Sequence, residues 1–122
     1  MTRPTRQEQA QAILHLRGWQ LASSILGRRA TNAGDFDEAF NLERIDLVSE
    51  MPNPAAMMEF GRNVVGPRDG LYILDDGETY RVYIQERGEA YFETLGVDFD
   101  AARNAVIDRL LQLGGIPYLP EG

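Results

Sequence analysis

The sequence predicts an α+β domain: a three-stranded, possibly four-stranded, antiparallel β-meander packed with N-terminal, central and C-terminal helices. Three observations lead there. Residues 70–97 alternate apolar and polar side chains between turn-forming residues, the pattern of half-buried strands. Gln7–Leu26 and Phe99–Leu113 carry apolar side chains at helical spacing. Hydrophobic residues make up 43% of 122, enough for one core, so residues 1–122 are read as a single domain.

The first helix is expected over Gln7–Leu26, with Pro4 in its first turn and Gly27 as its stop. Two apolar stripes run along it, and Gly18 marks either a close crossing or a kink. Thr31–Gly34 reads as a turn, with Asp35 or Asp37 capping a short helix over Glu38–Leu42. Arg44–Ser49 places Ile45 and Leu47 two apart, which predicts a short strand. Asn53 and Pro54 open a helix to Val65 with Met57, Met58, Phe60 and Val64 on its core face.

Within the meander, Asp76-Gly77 fits a two-residue type I′ turn that pairs Ile73 with Tyr80. A three-residue loop at Arg87-Gly88-Glu89 is expected next, because it sets Phe92 beside Ile84 and keeps Glu93 out of the core. Asp98 then caps a helix whose stripe is Phe99, Ala102, Val106, Leu110 and Leu113, ended by Gly114-Gly115. Ile116–Pro120 is apolar enough to pack back.

Composition removes several chemistries. There is no cysteine, so disulfides, thiolate catalysis and zinc–thiolate sites are excluded. All 12 basic residues are arginine, which removes Schiff-base and P-loop lysine chemistry. His15 is the one histidine, and Ser23 and Ser24 near it lack nucleophile-elbow spacing. Asp75, Asp76 and Glu78 lack the spacing of an EF-hand and read as turn residues. No dinucleotide, Walker or zinc-protease motif occurs. The expectation is therefore a binding protein and not an enzyme, with no cofactor and no metal. The longest apolar runs are too short to span a bilayer, and nothing resembles a charged-then-apolar leader, so cytoplasmic residence is expected.

Net charge is −7, unevenly spread. Residues 1–29 carry five arginines against Glu8 alone, while residues 30–122 carry seven against 18 acids. The acidic body disfavours nucleic acid and favours a basic protein partner. The partner-binding surface is expected on the second face of the meander: Tyr72, Arg81, Tyr83, Tyr91 and Glu93, with the acidic turn residues Asp75, Asp76 and Glu78. Tyrosine and arginine are enriched at interfaces. The competing expectation is that the first helix covers this face.

The stretch from Asp69 to Leu113 carries a strand at Gly70–Leu74, an Asp76-Gly77 hairpin, a Glu86-Arg87-Gly88 turn and a closing helix at Phe99–Leu113. In this it resembles the small immunity proteins of bacterial polymorphic toxin systems. The resemblance implies a cytoplasmic protein that binds a cognate toxin domain and occludes its active-site cleft. No toxin-contacting residue carries over from it, so the surface above rests on this sequence alone. Two alternatives stand beside it: a secretion chaperone for an effector protein, and a small-ligand-binding domain.

Overall fold

A computed structural model describes residues 3–117. Its elements in order are α1 (Arg6–Leu14), α2 (Gly18–Leu26), α3 (Ala33–Ala39), α4 (Arg44–Val48), α5 (Pro54–Met58), β1 (Gly70–Asp75), β2 (Tyr80–Glu86), β3 (Glu89–Val97) and α6 (Phe99–Leu113). The class is α+β as expected, with one antiparallel sheet in the order β1-β2-β3. The chain forms two compact units, Met1–Glu50 with Leu110–Gly122, and Met51–Arg109.

The first unit is helical. Thr5 caps α1 by accepting from Glu8 N while the Glu8 carboxylate accepts from Thr5 N. The expected long helix is two. Leu16 adopts φ +62, and Arg17 N and Leu16 N donate back to the carbonyls of Ala12 and Ile13, closing a Schellman motif. A leucine occupies the position usually given to glycine, which is why the sequence hides the break. Gly18 then opens α2 in a tight space, since a Cβ there would sit 2.8 Å from Ile116 Cδ1.

The short helix α3 starts earlier than expected. Asn32 Oδ1 accepts from Asp35 N, and Asp35 Oδ2 accepts from Thr31 N, so two side chains satisfy the exposed end reciprocally. The expected strand at Arg44–Ser49 is helix α4. Asp46 accepts from Glu43 N at 2.7 Å, and Arg6 pairs with both Asp46 and Glu43. Leu47 is buried but Ile45 is exposed, so the two-residue alternation is not used. Ile13, Leu14, Phe36, Leu42, Leu47 and Leu111 are among the large buried side chains here, and Trp19, Phe36 and Phe40 meet edge to face. Ile116 is buried; Tyr118–Pro120 lie outside the described residues.

The second unit holds the sheet. Helix α5 begins at Pro54 under an Asn53 cap, as the sequence predicts, but stops at Met58 instead of Val65. Gly61 brings the chain against β1, and a Cβ there would lie 2.7 Å from Ile73 Cγ1. Arg62 N then donates to Leu71 O, and Ile73 N donates to Arg62 O, a single parallel bridge. These β-type bonds take the place of the last helical turns. Val64, expected in the core, is exposed.

Both hairpins differ from expectation in their loops. In the first, Ile73 pairs with Val82 and Asp75 with Tyr80, so the loop is Asp76–Thr79. Gly77 has φ +107 but Asp76 is not left-handed, which rules out the I′ turn there. Instead Asp75 Oδ1 accepts from Gly77 N. The slip is two residues, an even number, so every side chain keeps its expected face. In the second, Glu86 pairs with Glu89 across a two-residue turn, with Arg87 at φ +51 and Gly88 at φ +80. Tyr91, not Phe92, faces Ile84. An extra residue follows at Phe92, so Thr94 faces Val82 and Glu93 is kept out of the core by a bulge. A second bulge before Val97 contains Gly96 at φ +64.

Asp98 caps α6 through Ala101 N, and the buried positions of that helix are Ala102, Ala105, Val106, Ile107, Leu110 and Leu111. Leu113 is 39% exposed.

Candidate functional site

The sheet presents two contrasting surfaces. Leu71, Tyr72, Ile73 and Leu74 of β1 and Tyr80, Val82, Tyr83, Ile84 and Gln85 of β2 are buried, so both faces of these strands are covered. Strand β3 is the opposite: seven of its nine residues are exposed.

The structure departs from the expected contact surface at three residues: Tyr72 and Tyr83 are buried, and Tyr91 pairs with Ile84, which puts it on the other face of the sheet. Tyr72 and Tyr83 stack in parallel with ring centroids 5.0 Å apart, and with Leu74 they form a buried cluster. The Tyr72 hydroxyl donates to Gly66 O and Arg68 O, and the Gln85 amide donates to the same two carbonyls. Two side chains thus pin the loop before β1. Burial pushes the Tyr83 phenol above its ordinary pKa. These tyrosines are structural, because neither ring offers area to a partner.

Arg81 is half-buried. Its guanidinium lies 5.2 Å from the Tyr83 ring centroid, and its Nε sits 3.9 Å from Glu93 Oε2, an ion pair without a hydrogen bond.

The remaining candidates are exposed and fall at or between the two hairpin ends. Asp75, Asp76 and Glu78 crown the β1–β2 loop, and Glu86 and Glu89 flank the β2–β3 turn. Between them β3 exposes Tyr91, Glu93 and Leu95. The Tyr91 hydroxyl donates to Glu89 Oε2 at 2.8 Å, which raises the phenol above its usual range and fixes the ring beside the turn.

The residue that sequence reasoning missed is Phe92. It was expected in the core opposite Ile84, yet 54% of it is exposed. It sits at φ +55, where a bulky L-residue is strained by about 1–2 kcal/mol. Arg109 of α6 stacks on the ring at 5.2 Å and donates to the Phe92 carbonyl at 3.4 Å. Gly96 signals the second bulge in the sequence; nothing signals the first.

Ser23 Oγ accepts from Ala30 N, so that hydroxyl serves the fold. Among the described residues, no group of three or more acidic or histidine side chains is arranged to hold a metal ion, and no helix is long and apolar enough to cross a membrane. Comparison with protein-family models, curated proteins and solved structures gave no match.

Proposed function

We propose that this chain is a cytoplasmic immunity protein that binds and neutralises a toxin domain, using strand β3 and the acidic hairpin ends as its contact surface. One observation carries the reading: the edge strand β3 exposes Tyr91, Phe92 and Leu95, and the hairpin loops at the two ends of the sheet expose Asp75, Asp76, Glu78, Glu86 and Glu89. Apolar anchors framed by charge match the anatomy of a protein interface, where a few desolvated side chains hold and charge steers. Both bulges interrupt the outer edge of β3, which disfavours addition of a regular strand and leaves side chains to make the contact. The partner is a domain with a basic cleft. Phe92 and Leu95 fill an apolar part of it, and the carboxylates meet cations that otherwise hold substrate phosphates.

The test is a pull-down of the tagged chain from its native host, with bound proteins identified by mass spectrometry. The expected result is one stoichiometric partner whose toxic domain is silenced on co-expression. Affinity should fall as salt is added. A silenced toxin bound with no salt dependence overturns the acidic contact, and recovery of no protein partner overturns the reading itself. Recovery of an unfolded secreted effector supports the chaperone alternative.

A further inference from the structure

The helical unit contains a recess that the proposal above does not use. It has a volume of about 610 Å³ and is lined by Trp19, Gln20 and Ser23 of α2 and by Arg29, Ala30 and Thr31 of the connection to α3. That volume lies within the range of small-ligand sites, roughly 300–1,000 Å³.

Trp19 and the connection are held in place by the protein itself. The Trp19 indole N–H donates to the carbonyls of Gly114 and Gly115 at 3.1 Å, and its ring meets Phe36 edge-on at 4.5 Å. The connection is tied down by Ala30 N to Ser23 Oγ and Thr31 N to Asp35 Oδ2. Arg28 is committed to Asp35 and Glu38. Its neighbour Arg29 is exposed and has no ion-pair or hydrogen-bond partner among the described residues. The Gln20 amide is likewise uncommitted among them. The recess therefore combines a fixed aromatic side chain, one uncommitted amide and one uncommitted cation. The sequence shows the same local bias, since five arginines and a single acid fall in residues 1–29.

We infer that this recess binds a small planar anion, with its ring against Trp19 and its carboxylate or phosphate held by Arg29 and Gln20. Guanidinium–anion pairing is directional and supplies the selectivity; stacking supplies area.

The experiment follows the amide spectrum of the ¹⁵N-labelled full chain, in which Trp19 gives the single indole N–H signal. Three probes are titrated separately: adenosine monophosphate, indole-3-acetate and inorganic phosphate. The expected result is saturable shifts of the Trp19 indole, Arg29 and Thr31 signals with both aromatic anions, at dissociation constants on the order of 0.1–1 mM. Phosphate alone should bind about tenfold more weakly. Arg29→Gln, a change at an exposed side chain, should weaken both aromatic anions about tenfold while leaving the spectrum otherwise intact. Absence of saturable shifts up to about 10 mM with both aromatic anions overturns the inference. So do shifts that saturate equally in the Arg29→Gln variant. Neither result bears on toxin binding by β3.

Discussion

Arg87 offers a decisive test of the β2–β3 turn. It holds φ +51 in a two-residue turn with Gly88 at φ +80, so both positions are left-handed. For arginine that backbone costs about 1–2 kcal/mol, whereas asparagine accepts it readily. Among the described residues the Arg87 side chain has no hydrogen-bond or ion-pair partner; its backbone N–H donates to Asp69 Oδ1 at 3.0 Å, and any residue but proline keeps that bond. Arg87→Asn is therefore expected to stabilise the protein by about 0.5–1 kcal/mol. With a urea slope of about 2 kcal/mol/M, the unfolding midpoint rises by roughly 0.3–0.5 M.

One effect opposes this. The substitution removes a positive charge near Asp69, Glu86 and Glu89 from a chain already at −7. Measurement at about 1 M salt, where screening acts within ~3 Å, suppresses that term. Arg87→Ala supplies the control, because alanine loses the charge yet pays the same backbone strain. The ordering expected at high salt is Asn above Ala, with Ala close to the parent. Gly88→Ala should fall below all three by about 1–2 kcal/mol. If Asn and Ala coincide at high salt, the left-handed turn is wrong, and so is the register that exposes Tyr91 and Phe92.

Tyr72→Phe keeps the stacked ring but removes the donor to Gly66 O and Arg68 O, and should cost about 1–2 kcal/mol in urea unfolding; those carbonyls still accept from Gln85. Gly61→Ala should cost about 1–3 kcal/mol, because the new methyl meets Ile73 and Leu71 O, and backbone cannot yield as a side-chain tip can. Asp35 is held below its ordinary carboxylate range by hydrogen bonds from Arg28 and Thr31 N. Its unfolded form takes up protons first, so its stabilising contribution is present above the unfolded carboxylate pKa and lost as pH falls through the lower folded value. Asp35→Asn should accordingly lower stability near neutrality and flatten its decline between about pH 5 and pH 2 in acid titrations followed by circular dichroism. Phe92→Ala with Leu95→Ala should weaken a cognate partner by at least about 2 kcal/mol in calorimetry, without loss of folding, since both side chains are largely exposed.

What the sequence yields here divides along a physical line. Periodicity finds β1, β2 and α6, because burial repeats every second or every third to fourth residue there. The even slip in the first hairpin leaves that periodicity unchanged, so faces are readable even where register is not. The misses have a common origin in side-chain-to-backbone bonds that periodicity does not encode. The Glu43–Asp46 cap turns an alternating segment into helix, and Leu16 ends a helix in a conformation its residue type does not announce. In the proposed contact surface, the charged candidates Asp75, Asp76, Glu78 and Glu93 are exposed because hydration keeps carboxylates at the surface. Tyrosine carries no such instruction: Tyr72 and Tyr83 are buried through a stack, with the Tyr72 hydroxyl bonded to Gly66 O and Arg68 O, while Tyr91 is not buried.

The contrast between β2 and β3 bears on why the latter reads as a contact surface. Both strands carry aromatic and aliphatic side chains, and they pair directly, yet burial stops at β2. A strand kept only to complete the sheet would be expected to alternate, with one face apolar and inward. Here bulges at Phe92 and Gly96 break that alternation twice and turn side chains outward that a regular strand would bury. At Phe92 the cost is backbone strain with no glycine to relieve it, and Arg109 braces the residue by stacking on the ring and bonding its carbonyl. An exposed phenylalanine held in an unfavourable conformation adds little to folding stability. In the proposed interface it keeps an apolar ring fixed in solvent, which lowers the ordering cost of inserting it into a partner.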